Sequence, residues 1–173
     1  KGASLVFCWD THLTKIKGRN VLFIVNASNR YTIAMTDIEP RNWNYYTMYI
    51  RSVIHGVMQE MGYSEDQIVQ YFKMSGDTTV TKTHGRKSVG GINRMVMDAQ
   101  YFGKKLEKEA KYQWELSEYL NRDICQPEGF DAYGYPNELF KLDMERLGIA
   151  TKRKPAKVID FTRYIDTNRS SNH

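Results

Sequence analysis

Cysteine is nearly absent from this chain: there are two, Cys8 and Cys125, far apart and without paired spacing. That pattern argues against a disulfide framework and against a thiolate zinc site, and it makes a reducing compartment, the cytoplasm, the expectation. Long apolar runs are also missing. The longest, VLFIV at 21–25, is far below the roughly 18 residues a membrane span needs, and the first residues read as a trimmed start rather than a targeting segment. No membrane partner is therefore expected. Histidine is scarce, and the four present show no ligand spacing, so neither a metal nor a cofactor is expected.

An excess of acid is missing as well. The chain carries 25 basic and 20 acidic residues, a net charge of +5, and most of that excess lies at one end. Residues 152–173 hold Lys152, Arg153, Lys154, Lys157, Arg163 and Arg169 against Asp160 and Asp166. The body is close to neutral and the basicity belongs to a tail. What is present in quantity is apolar and aromatic material, 41% and 13% of 173 residues, enough for one real core.

Leu5 to Thr36 reads as strands, with turns at KGRN and ASN and β-branched or aromatic residues on either side. Glu39-Pro40 ends that block. Trp43, Tyr46, Ile50, Val53, Val57 and Met61 then recur at spacings of three and four, which predicts a helix closed by Gly62. Ser64 with Gln67 predicts a capping box on a second helix, stopped at Gly76. DTTVTKTH reads as a further strand closing the sheet. Ser88 is expected to cap a third helix running to about Leu120, with the charge run KKLEKEAK as its solvated face. CQPEGFDAYGYP is a loop, and NELFKLDMERLG a last helix ending at Gly148. The fold class expected is α+β: an antiparallel sheet of four or five strands packed by three or four helices. Residues 1–150 form a single domain on this reading, and 151–173 a basic C-terminal tail, partly disordered.

The stretch KTHGRKSVGGINRM, residues 82–95, invites a phosphate-loop reading. Gly85 and Gly90 have the required first spacing, but Gly91 and Ile92 stand where a lysine and a hydroxyl should follow. Nucleotide binding by that motif is excluded. A more general reading remains: a helix N-terminus capped by Ser88, with Arg86 and Lys87 beside it, offers amides and charge to an anion or a partner. Gly90 and Gly91 would permit close approach of a partner backbone, or only tight packing on the sheet. With Asn93 and Arg94, these residues make up the candidate contact.

No catalytic constellation is complete. Asp10 and His12 share a strand face, as a base and its orienter would, yet no nucleophile or metal partner is placed beside them. His55 flanks an apolar stripe, His84 neighbours Arg86, and Cys125 is the more reactive of the two thiols. The expectation is a protein without enzymatic activity. Among recognition surfaces, the tail cluster Lys152, Arg153, Lys154 and Lys157 suits phosphate backbones of DNA or RNA or, further along, pairing at a sheet edge. Phe130, Tyr133 and Tyr135 are candidate loop anchors. An uncovered edge over Leu5 to Trp9 would support homo-oligomers.

Trp9, Arg19, Val21, Leu22 and Asn26 in the strand block, with Ser88, Val89, Gly91 and Asn93 in the later segment, fall on one pattern. On these residues the chain resembles a widespread bacterial family of unknown function over residues 5 to 100. Lys87 stands where that family usually has arginine, and Thr11 and His12 replace small or amide residues. More narrowly, it resembles type II anti-CRISPR proteins of mobile genetic elements. That resemblance implies a stoichiometric inhibitor that binds the guide-RNA-loaded type II CRISPR-Cas nuclease and impairs DNA binding or cleavage. Because the chain is not acidic overall, simple DNA mimicry in the nuclease's cationic channel is disfavoured. A nucleic-acid-binding regulator or antitoxin-like module is the alternative.

Overall fold

The structure is a computed structural model that describes residues 4–38, 45–82 and 85–150. Its centre is a three-stranded antiparallel sheet in the order β1–β2–β3, with β1 Trp9–Ile16, β2 Arg19–Asn26 and β3 Thr32–Thr36. β1 and β2 are joined by Lys17 and Gly18, both at positive φ (50° and 81°), the backbone a two-residue hairpin turn requires. Trp9 is thereby set opposite Asn26, and Ile16 opposite Arg19.

The run VLFIV is the central strand, and its lack of polar alternation has a simple cause: both faces of β2 are covered. Val21, Phe23 and Val25 pack under α3 (Gly85–Gln100) and α4 (Trp114–Asn121), together with Ile92, Met95, Leu116 and Leu120. Leu22 and Ile24 face α1 (Tyr46–Glu60), α2 (Glu65–Ser75) and α5 (Pro136–Arg146), with Ile54, Met58, Ile68, Phe140 and Met144. One sheet therefore separates two apolar clusters, a three-layer α+β arrangement. Trp9 Nε1 donates to the Tyr71 hydroxyl (3.0 Å), which donates to the Val6 carbonyl (2.7 Å), tying β1 to α2 through the lower layer.

The fourth and fifth strands expected from sequence are not found among the described residues. Leu5–Phe7 is a short 3-10 helix, so pairing begins at Trp9 and the edge expected over Leu5 to Trp9 is not a strand edge. Residues 77–82 are irregular and exposed. The position a fourth strand would occupy, outside β3, is filled otherwise. Thr36 N donates to Lys111 O (2.7 Å) and Gln113 N to Ala34 O (2.9 Å), while Ser117 Oγ accepts from Ala34 N (3.0 Å) and Asn121 Oδ1 from Thr32 N (2.8 Å). Side chains of α4 thus satisfy the edge that another strand would have paired.

The long third helix is likewise two helices. α3 stops at Gln100, and the charge run at 104–111 is irregular. Gln113 organises this segment: its Nε2 donates to Glu107 O (2.9 Å) and Ala110 O (2.7 Å), and its Oε1 accepts from Glu107 N (2.8 Å). The capping box of Ser64 and Gln67 is present as expected, and Gly62, Gly76 and Gly148 follow their helices at positive φ. No described helix is long and apolar enough to cross a membrane. Glu39-Pro40, Trp43, His84 and the tail with Lys152, Arg153, Lys154 and Lys157 lie outside the described residues.

Candidate functional site

The candidate contact falls on α3, and the first correction concerns its start. The helix begins at Gly85, so Ser88 lies inside it and is not its cap. Its hydroxyl donates instead to Asp10 Oδ2 on β1 (2.6 Å). Because the sheet has captured this hydroxyl, the Ser88-capped anion site expected from sequence is not what the segment builds. Lys87 reaches across to the Pro127 carbonyl at 3.4 Å and helps hold the 122–135 loop.

The two adjacent glycines have opposite surroundings. Gly91 is buried, and a Cβ there would overlap the Arg30 guanidinium, lying 2.9 Å from its Nε. Gly91 is therefore explained by packing within the chain. Gly90 is exposed, and a Cβ there would meet nothing within 4 Å. Glycine in a helix interior costs about 1 kcal/mol relative to alanine, and no internal contact of Gly90 offsets it. Along the same exposed side stand Arg86, Asn93 and Arg94, then Met97 at 62% and Tyr101 at 77% exposure. Positions 86, 90, 94 and 97 recur at three and four, so they form one stripe on the helix, and Tyr101 follows directly after its last residue. Arg94 is held loosely, its Nε 3.9 Å from Asp98 Oδ2. The stripe joins cations, an amide, apolar surface and a point of close backbone access.

Other residues singled out from sequence are scattered. Asp10 is buried and engaged with Ser88, and His12 follows two residues on along β1. His55 pairs with Glu65 at 2.9 Å on the far side of the sheet, between α1 and α2. Cys125 lies half-buried in the loop, its backbone paired with Gly134. Burial pushes its thiol above the usual range, with Asp123 adding to the rise and Arg30 and Arg94 opposing it. That environment suppresses rather than promotes thiolate chemistry. Phe130 is folded inward beneath the Arg146 guanidinium (3.9 Å), whereas Tyr133 and Tyr135 stay exposed at 70% and 49%. Among the described residues no group of three or more His, Cys, Asp or Glu side chains is placed to hold a metal ion.

Arg30 escaped the sequence reading. It lies in the turn between β2 and β3, where Asn26 Oδ1 accepts from Ser28 N (3.0 Å) and Asn29 Oδ1 from Tyr31 N (2.9 Å). Asn29 Nδ2 reaches the buried Asp143 carboxylate at 2.8 Å. Two asparagines within five residues were the available signal, since asparagine side chains readily replace backbone partners in tight turns.

The chain belongs to the family described as a domain of unknown function, DUF6933, whose profile matches residues 1–139. The match takes in the whole sheet, α3 and α4. No curated protein and no solved structure matches the chain.

Proposed function

We propose that this protein is a non-enzymatic inhibitor that binds a guide-loaded type II CRISPR-Cas nuclease through the exposed stripe of α3. The observation carrying a binding role is Gly90, a helix-interior glycine facing open space, which offers a partner backbone close access between Arg86 and Arg94. Asn93, Met97 and Tyr101 extend that access into a mixed polar and apolar surface of the kind interfaces use. The nuclease as partner rests on the sequence resemblance, and the absence of an acidic excess favours contact with guide RNA or a less basic face of the nuclease over imitation of DNA. The basic groups Lys152, Arg153, Lys154 and Lys157 are the second candidate contact.

The test is a pull-down and cleavage assay with a purified guide-loaded type II nuclease, run beside salt-titrated binding to free DNA and RNA. Capture by the nuclease with loss of cutting, and indifference to free nucleic acid, supports the inhibitor. Indifference of the nuclease with DNA binding that falls steeply with salt favours the nucleic-acid-binding regulator instead.

A further inference from the structure

Beside that stripe, and sharing Arg94 with it, the Arg30 turn, α3, α4 and the 122–135 loop line a pocket of about 210 Å³. Arg30 forms one end of it. Its backbone is left-handed, with φ of 60°, a conformation that a non-glycine residue adopts only against steric resistance. Its guanidinium is half-buried over Gly91, which has no side chain to displace it. Among the described residues this guanidinium has no hydrogen-bond or ion-pair acceptor. A charge taken even partly out of water without a counter-charge carries a desolvation cost, and this one lines a cavity.

The opposite end is acidic. Asp98 and Asp123 line the same pocket and also the neighbouring cleft of about 520 Å³ beside Trp114. Arg30 instead borders the small recess next to Ser88 and Lys87. The pocket thus has Arg30 toward the β2–β3 turn and the Asp98 and Asp123 carboxylates away from it, with Arg94 held loosely at the acidic end, its Nε 3.9 Å from Asp98 Oδ2. Met95, Leu120 and Ile124 supply apolar wall. A simple anion would be repelled at the carboxylate end, and a simple cation at the guanidinium end. A molecule bearing both charges meets a counter-charge at each. The volume is below the range of about 300–1,000 Å³ typical of drug-sized ligands, so the fitting molecule is small.

We propose that this pocket binds a small dipolar ligand of the amino-acid type, with its carboxylate on Arg30 and its protonated amine on Asp98 and Asp123. The pocket shares Arg94 with the α3 stripe, but Arg30 and Asp123 lie outside that stripe, so variants at those two positions test the pocket apart from the nuclease reading. The probes are unbranched ω-amino acids from glycine to 6-aminohexanoate, titrated calorimetrically at neutral pH, with carboxylates and alkylammonium ions of matching length as controls. One chain length binds with a dissociation constant on the order of 1 mM or tighter, and its single-charge analogues bind at least about ten-fold more weakly. Arg30→Met and Asp123→Asn each lose about ten-fold or more while the thermal transition is kept. If Arg30→Met fails to fold, Gly91→Ala serves instead, because its methyl displaces the guanidinium without removing the charge. Binding by none of the series, equal binding by the carboxylate controls, or undiminished affinity in the folded variants overturns the proposal.

Discussion

Replacing Gly90 by alanine separates a glycine kept for a partner from one kept for the fold. Gly90 is the sixth residue of α3, inside the helix, and a Cβ there would meet no atom within 4 Å. The substitution therefore adds helix propensity with nothing to oppose it, a gain of about 0.8–1.0 kcal/mol. For a chain of this size that corresponds to a rise in melting temperature of about 2–4 °C. Thermal unfolding followed by circular dichroism, with urea unfolding as a second measure, reads it directly. Gly91→Ala is the comparison: the propensity gain is the same, but Arg30 must move, so its net change is smaller or negative. If Gly90→Ala leaves stability unchanged or lowers it, the glycine has a role inside the chain and the reasoning that assigns it to a partner is wrong. Stability gained at the expense of binding is the expected outcome for a residue retained for function.

The remaining predictions concern the frame around the site. Tyr71→Phe removes the hydroxyl joining Trp9 Nε1 to Val6 O, leaving both without that partner; a loss of about 1–3 kcal/mol in urea unfolding is expected, and an unchanged midpoint would contradict it. Gly129→Ala forces a methyl onto the Ser28 hydroxyl and 2.7 Å from the Ser28 backbone oxygen, where no flexible side chain can give way; a cost of about 2 kcal/mol or more is expected, and full stability would refute the close approach. Burial raises the Asp143 carboxyl above its ordinary 3.8, against the lowering effects of Asn29, Ser28 and Arg146. Its folded value lies above the unfolded one, so its contribution is complete below the ordinary carboxylate range and is lost as pH rises through the folded value. The stability of the protein relative to Asp143→Asn should therefore fall with increasing pH above about 4, and a difference that grows with pH would reverse the sign of this account.

Local signals were legible wherever a residue acts on its own neighbours. The Ser64–Gln67 box, the glycines after α1, α2 and α5, and the Lys17-Gly18 turn all act within a few residues, and each is where the sequence places it. Long-range substitution was not legible. KKLEKEAK has a helical composition, yet its backbone is organised by Gln113 and by the free edge of β3, partners that no local pattern reveals. The same edge explains why DTTVTK, strand-like by composition, does not join the sheet: the Lys111–Asn121 segment already covers β3. Ser88 looked like a cap because it precedes an apolar period, but its hydroxyl bonds to Asp10, 78 residues earlier. The residues of the candidate contact fall together on α3, whereas the different surroundings of Gly90 and Gly91 required three dimensions. Arg30 and its pocket were hidden for the same reason, since the turn, α3 and α4 meet only in the fold.

The central claim is that the exposed stripe of α3 engages a guide-loaded type II nuclease. The most direct measurement is the affinity of that complex for the wild-type chain and for Gly90→Trp, whose Cβ meets no atom within 4 Å and whose thermal transition is measured alongside to show that the variant is folded. The account predicts binding by the wild-type chain and a loss of at least about ten-fold in the variant, with DNA cleavage restored in parallel. Equal affinity for the two chains would remove α3 as the contact, and no binding by the wild-type chain would contradict the function itself.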